Sequence, residues 1–448
     1  MEDISSKKSA AYRILYHWVR FVFERVYYKR VHRLHTENIP HNNPVILVSN
    51  HQNSLLDAFQ MLFAVRNTFL HFISRADVFR KKPVARLLYG LGLIPIYRVR
   101  DGVEKIKNNL QMFGQVEQYL QKGGMLAIYP EATHMDGNWL GRFYHSYVRI
   151  GFETAERSGF EQEVFILPST LYYEDFFALR SQCMIDFSEP FSLRPFYETY
   201  KANPRQTEEE VNAIIRHKIQ EKMLDVKDMK NYQTVMDFIS YSETAYAEKK
   251  QAVDMNMLPQ ALTVRKEIEE KLSALMENNP EKLQEIYSHT ADYSHQLKRF
   301  HISDSAFLNP SNIREVIQSA LFYLLLSPLY IVGALAHLPM FIITPLATKK
   351  LEDKLMTASI DICVWILGIP VFYLVYFILI GNTVSWFFAA LLLLMLPALF
   401  RFAYGYQKNL KEDFLRFRCR LIRKKRKKSW EKISGLREAL NRDLDSIC

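Results

Sequence analysis

The chain reads as an α/β protein with a mixed, mostly buried sheet and flanking helices, followed by a helical subdomain and C-terminal membrane helices. Two observations predict this. Between residues 44 and about 190, short apolar runs alternate with stretches of helical spacing, the pattern of a buried sheet covered by helices. From Ser319 onward the chain carries long uncharged runs of membrane-spanning length.

The elements follow in order. Residues 10–34 interleave Tyr12, Tyr16, Trp18, Phe21, Phe23, Tyr27 and Tyr28 with Arg13, Arg20, Arg25, Lys29 and Arg30. Such a segment suits either a membrane interface, with rings inward and cations toward headgroups, or an amphipathic helix packed on the domain. Val45–Val48 is a strand and 54–66 a helix. Phe69–Ile73 is a strand, and 77–91 a helix broken at its start by Pro83. Leu93–Ile96 is a short strand. Val103–Gln121 is a helix with Gly123-Gly124 just past its end. Met125–Tyr129, Val164–Leu171 and Cys183–Phe187 are strands, and Tyr144–Glu156 is a helix.

The stretch SNHQNSLLDAF, Ser49 to Phe59, follows the first of these strands directly. His51 and Asp57 are six residues apart, which on a regular helix would point them about 120° away from each other. They meet only if His51 lies in the turn and Asp57 in the first helical turn. Asn53 or Ser54 can cap that helix, and Ser54-Leu55-Leu56-Asp57 has capping-box spacing. A carboxylate beside an imidazole fixes its tautomer and raises its basicity, giving a general base for a hydroxyl. Asp57 as a plain helix cap beside an ordinary turn histidine is the competing reading.

Three more stretches fall at strand ends, where sites gather in such sheets. In Ile94-Pro95-Ile96-Tyr97-Arg98-Val99-Arg100, the two arginines share one face if the strand continues. One can hold a phosphate bidentately while the other pairs with a carboxylate or meets solvent. In Tyr129-Pro130-Glu131-Ala132-Thr133-His134, Glu131 can accept from substrate hydroxyls or organise a turn. In Ile166-Leu167-Pro168-Ser169, Pro168 inside an apolar strand marks an edge or a shaped wall.

In this order, H-x5-D, G-L-I-P-I-Y-R, Y-P-E-A-T-H and I-L-P-S-T resemble the blocks of the glycerophosphate acyltransferase family, the lysophosphatidate-synthase-like superfamily. The resemblance covers roughly residues 35–190. The H-x5-D variant is similar to the microbial branch that acylates glycerol 3-phosphate or dihydroxyacetone phosphate, which also carries C-terminal membrane segments. Two positions depart from the pattern: Ala132 stands where the third block usually has glycine, and Tyr97 precedes the arginine. The resemblance implies His51 and Asp57 as the catalytic pair. It implies Arg98, Arg100, Glu131 and Pro168 as substrate-binding positions, with Arg98 on the phosphate and Glu131 on the glycerol part. It implies acyl-CoA or an acyl-carrier protein as co-substrate, and no further cofactor. No metal is expected, because the histidines lack ligand spacing. Acylation of lysophosphatidate or another lysophospholipid is an alternative, and a catalytically silent lipid-binding scaffold is a second.

Beyond this domain, placed at 37–195, residues 196–315 read as a helical subdomain punctuated by Pro204, Pro259, Pro280 and Pro310. Membrane segments follow at 316–404. The proline-rich run 319–346 reads as re-entrant or surface-lying, and 358–404 as a hairpin linked at Gly381-Asn382-Thr383. Lysines at 349, 350 and 354 before the hairpin, and Arg401 with the cluster Arg423–Lys428 after it, put both flanks in the cytoplasm. That places the catalytic domain there too. The tail 405–448 is basic.

The 448 residues carry a net charge of +10, which suits an anionic partner. Beside the apolar runs, lipid phosphate is that partner rather than nucleic acid. Four scattered cysteines exclude a disulfide framework and fit a reducing compartment. The start, MEDISSKKSAAYR, has no apolar h-region, so no cleaved secretory signal is expected.

Overall fold

Alternate residues of the strand Val45–Ser49 face opposite sides, and both sides are buried. Ile46 and Val48 belong to one apolar cluster, Val45 and Leu47 to another. This is the condition of a parallel strand covered on both faces. The computed structural model describes residues 10–65, 69–80, 82–96, 103–250, 253–351 and 353–448. The chain divides into two units: Met1–Asp225 with Leu351–Ile362, and Val226–Lys350 with Cys363–Cys448.

In the first unit, helix α1 (Ala10–Phe21) runs into a π-helical turn, Val22–Tyr27. Then come β1 (Arg30–Leu34), β2 (Val45–Ser49), α2 (Leu55–Ala64), β3 (Leu70–Arg75), α3 (Lys82–Gly90), β4 (Leu93–Ile96), α4 (Val103–Gln121) and β5 (Met125–Ile128). They are followed by α5 (Ser146–Arg157), β6 (Phe165–Tyr173), β7 (Gln182–Phe187), β8 (Phe191–Ser192), α6 (Tyr197–Ala202) and α7 (Pro204–Gln220). The sheet order is β1-β7-β6-β2-β5-β3-β4, with β8 beside β6. Only the β6–β7 and β6–β8 pairs are antiparallel. Helices α4, α5 and α7 cover one face through Val116, Leu120, Val148, Phe152, Val211 and Ile215. Helix α2 covers the other through Met61 and Ala64.

Several expectations are corrected here. Residues 30–34 form a strand, although RVHRL looks polar, because β1 is an edge strand paired only with β7. Over the expected helix 77–91, a 3-10 turn covers Ala76–Phe79 and α3 begins only at Lys82, with Pro83 in its first turn, where its missing N–H costs nothing. Pro168 lies in an interior strand, not an edge, opposite Val48 of β2, and its carbonyl accepts from the Ser188 N–H at 2.8 Å. Helix α7 packs on the sheet, so the first unit runs to Asp225 rather than 195. The aromatic N-terminal segment packs against α2: Tyr16 and Phe23 meet Phe63 with ring centroids 5.3 and 5.4 Å apart.

The second unit holds α8 (Tyr232–Lys250), α9 (Leu258–Asn278), α10 (Pro280–Phe300), α11 (Asp304–Leu308), α12 (Ile313–Thr348), most of α13 (Met356–Thr383), α14 (Trp386–Lys425) and α15 (Lys427–Ile447). Helix α15 returns onto α8 and α10. Asp443 meets Lys282 and His289, each at 2.8 Å, and Arg437 donates to the Tyr241 carbonyl at 2.8 Å. Helices α12, α13 and α14 are each long and apolar enough to cross a membrane. The run expected to be re-entrant is one continuous 36-residue helix that carries Pro328, Pro339 and Pro345 within it. Neighbouring helices make room for this in two ways. Gly333 lets α12 approach α14 so closely that a Cβ there would lie 2.5 Å from the Leu399 carbonyl oxygen. Tyr376 of α13 donates to the Ala336 carbonyl at 3.0 Å, tying α13 to the turn of α12 that precedes Pro339.

Candidate active site

The parallel register brings the carboxyl ends of β2, β5 and β6 together, and the turn after β2 is pinned from all sides. Asn50 acts as a side-chain copy of a strand: its Nδ2 donates to the Leu171 carbonyl at 3.0 Å and its Oδ1 accepts from the Leu171 N–H at 2.8 Å. Asn53 Nδ2 donates to the Phe176 carbonyl at 2.8 Å. Between them His51 leaves the sheet. Its backbone N–H donates to Glu131 Oε1 at 2.9 Å and its carbonyl accepts from the Met135 N–H at 2.8 Å.

The His51 ring meets Asp57 through Nδ1 and Oδ2, 2.7 Å apart. His51 lies in the turn and Asp57 is the third residue of α2. Asp57 is 0% exposed and accepts four hydrogen bonds. Oδ2 takes the His51 ring N–H and the backbone N–H groups of Gln52 and Asn53, both at 2.8 Å, and Oδ1 takes the Tyr173 hydroxyl at 2.5 Å. Burial raises the Tyr173 phenol well above its ordinary range, so it stays a donor. With Nδ1 engaged, Nε2 is the ring atom left to meet a substrate. Tyr129 stacks on the His51 ring at 4.1 Å between centroids and 13° between planes. Burial, then the nearby Asp57, hold the Tyr129 phenol well above its usual value, so the stacked ring carries no charge.

The helix start differs from the expected capping box. Ser54 has φ 44° and ψ −114° and makes no side-chain cap. Asp57 reaches back to Gln52 and Asn53 instead, and the Leu55 N–H donates to Ser359 Oγ at 3.1 Å.

Glu131, expected on the glycerol, is 3% exposed and turned to the backbone. Its two oxygens accept from the His51 N–H and, at 3.0 Å, from the Gly141 N–H. It braces the turn that carries the histidine. The following residue, Ala132, has φ 57°, the left-handed region that glycine enters at no cost. That accounts for a glycine-type position in this block.

Burial pushes the Glu131 carboxyl up to about 7 from an ordinary 4.5, while the two backbone donors pull it back. The folded chain therefore holds this proton more tightly than the unfolded one. The stability it brings is complete below about pH 4.5 and is lost as pH rises to about 7. The glutamine variant lacks this titration. The melting temperature of Glu131→Gln should gain on the wild type as pH rises through that window. A constant difference between the two melting curves would remove the assignment.

Arg98 and Arg100 lie outside the described residues, just past β4. Pro168 is buried within β6, three positions before Leu171, the residue that Asn50 clasps. Sequence reasoning did not single out Tyr129 or Tyr173. Tyr172 and Tyr173 continue β6, buried on both faces, past the expected end at Leu171, and that aromatic strand end is the signal that could have found Tyr173. His134 stands edge-on to His51, 5.7 Å between centroids, and pairs through Nε2 with Asp353 Oδ2 at 2.6 Å. Nothing local in the sequence points to that partner. Among the described residues, one group has metal-ligand proximity, Glu285, His289 and Asp443 in the second unit, and there Lys282 already neutralises Asp443.

No curated protein matches the chain. Among solved structures, it is similar to the 1-acyl-sn-glycerophosphate (LPA) acyltransferase from Thermotoga maritima, at 18% identity and a TM-score of 0.31, over 44% of this chain and 78% of that one. Residues 30–171, which hold the His51–Asp57 pair and its braces Glu131 and Asn50, match the family model described as acyltransferase.

Proposed function

We propose that this chain is a membrane-associated acyltransferase that moves an acyl group from a thioester to a hydroxyl of a phosphorylated glycerol-type acceptor. The observation that carries the reading is the 2.7 Å contact between His51 Nδ1 and Asp57 Oδ2, inside the stretch that matches acyltransferases. In this reading His51 Nε2 takes the proton of the acceptor hydroxyl. The oxygen attacks the thioester carbonyl carbon, the C–S bond breaks, and the departing thiolate takes the proton back from His51. Base assistance of this kind contributes about 10² to 10⁴-fold. Asp57 holds the tautomer and faces the charge that develops on the ring.

The acceptor we favour is glycerol 3-phosphate or dihydroxyacetone phosphate, with phosphatidic acid synthesis as the destination. Lysophosphatidate offers the same phosphate and a free hydroxyl and is the second acceptor to test. Arg98, with Arg100 beside it, is the proposed phosphate site. Arg98→Ala should raise KM for the phosphorylated acceptor about tenfold or more, the weight of a charge-assisted hydrogen bond, with kcat nearly kept. An unchanged KM would refute the phosphate role.

Helices α8–α11 precede the three apolar helices and α15 follows them, yet they pack together. They therefore share one side of any bilayer, and the chain between them crosses it an even number of times. In this reading the catalytic unit works from the cytoplasmic side. The basic residues Arg423–Lys428 favour the cytoplasmic side, where the thioester donors are, and anionic headgroups as contacts.

The deciding experiment incubates the full chain, in detergent or nanodiscs, with labelled acyl-CoA or acyl-carrier protein and each of the three acceptors. Product from one of them supports the reading. No product from any acceptor with either donor would overturn it and favour a lipid-binding scaffold.

A further inference from the structure

The acyltransferase stretch ends at Leu171, but residues almost two hundred positions later reach its centre. The segment Leu351–Ile362, the connector after α12 together with the first turns of α13, belongs to the first unit. Three of its contacts there bear on the site. Asp353 Oδ2 pairs with His134 Nε2 at 2.6 Å. Ser359 Oγ accepts the Leu55 N–H at 3.1 Å. The Ala358 carbonyl accepts from the Tyr27 hydroxyl at 3.3 Å.

The first two contacts bear on the catalytic pair. Ser54 has a backbone that leaves α2 without its own side-chain cap, so the Leu55 N–H is an open donor at a half-buried helix start. Ser359 supplies the missing acceptor, one turn from Asp57. His134 sits in the turn that begins at Glu131 and ends at Met135. Those two residues hold the His51 backbone at its N–H and its carbonyl. Whatever fixes His134 therefore fixes the frame of His51, whose ring it meets edge-on. An exposed ion pair contributes little to stability, but this one orients a mostly buried ring beside the base.

We infer that the connector Leu351–Ile362 is part of the active site: Asp353 is a positioning residue that sets His134 beside His51, and Ser359 anchors the turn that presents Asp57. The inference rests on the acyltransferase reading for its kinetic consequence, and on the geometry alone for its structural one.

The test uses the full chain and two readouts. A displacement of about 1 Å at a catalytic group can cost on the order of 10²-fold, so Asp353→Asn should lower kcat about tenfold with KM for the thioester unchanged. Asp353→Glu, which keeps the charge, should recover most of that loss. His134→Gln should give a similar loss, and the double variant Asp353→Asn with His134→Gln should be no slower than His134→Gln alone. Wild-type kcat in Asp353→Asn, or losses that multiply, would overturn the role of Asp353. Independently of turnover, Ser359→Ala should speed hydrogen exchange of the Leu55 amide about fivefold, the usual effect of losing a cap. Unchanged exchange would show that the connector does not seat there. If the wild type acylates nothing, the acyltransferase reading falls, while the exchange result still judges the connector.

Discussion

Replacing His51 with alanine should abolish acyl transfer and leave the fold standing. Both backbone contacts of residue 51, to Glu131 and from Met135, survive the change. Asp57 keeps three of its four donors, those of Gln52, Asn53 and Tyr173, so no buried carboxylate is stranded. What disappears is the ring stacked on Tyr129, which is the base of the proposed reaction. The His51 side chain is 17% exposed, so its loss leaves a small void open to water, at a cost of about 1–2 kcal/mol. The rate loss should be on the order of 10³ or greater. Turnover and melting temperature, measured on the same preparation, separate the two effects. Turnover near the wild-type rate would remove His51 from the mechanism.

The fold was legible where burial alone decides it. Val45–Val48, Leu93–Ile96 and Val103–Gln121 stand within a residue of their expected limits. Each is an apolar run or a long helical repeat bounded by glycine, proline or a turn. The strand Arg30–Leu34 was hidden because an edge strand with one neighbour has no need of an apolar run. The extent of the first unit was hidden because α7 is charged outside and apolar inside, and its pattern does not say which sheet it covers.

The site was legible in part for the same reason. His51 and Asp57 are close in sequence, so spacing could bring them together. Glu131 could be found at a strand end but not oriented: a glutamate after a proline turn reads alike whether it meets a ligand or two backbone N–H groups. Asn53 or Ser54 was expected to cap α2, but Asp57 takes the N–H groups of Gln52 and Asn53, and Ser54 stands at positive φ with no cap bond. Asp353 lies 219 residues from His134, and no local rule carries across that distance.

The conservative change at Asp57 should be nearly as damaging as the loss of the histidine, for an electrostatic reason. An asparagine can turn its oxygen toward the three donors now on Oδ2 and its amide toward the Tyr173 oxygen. The turn, the helix start and the ring tautomer are then all kept, and only the charge is gone. The imidazolium that forms as the hydroxyl gives up its proton loses a counter-charge at roughly 4 Å between charge centres. With an effective dielectric near 20, that is about 4 kcal/mol, or on the order of 10³ in rate. Asp57→Ala should be as slow but also less stable, because the buried N–H groups of Gln52 and Asn53 lose their acceptor at about 1–3 kcal/mol each. Asp57→Asn should therefore melt well above Asp57→Ala while matching its rate. Adding His51→Ala to Asp57→Asn should slow it little further, since the two residues act as one unit. An Asp57→Asn enzyme within tenfold of the wild type would mean that the carboxylate holds the turn and contributes no charge to the reaction.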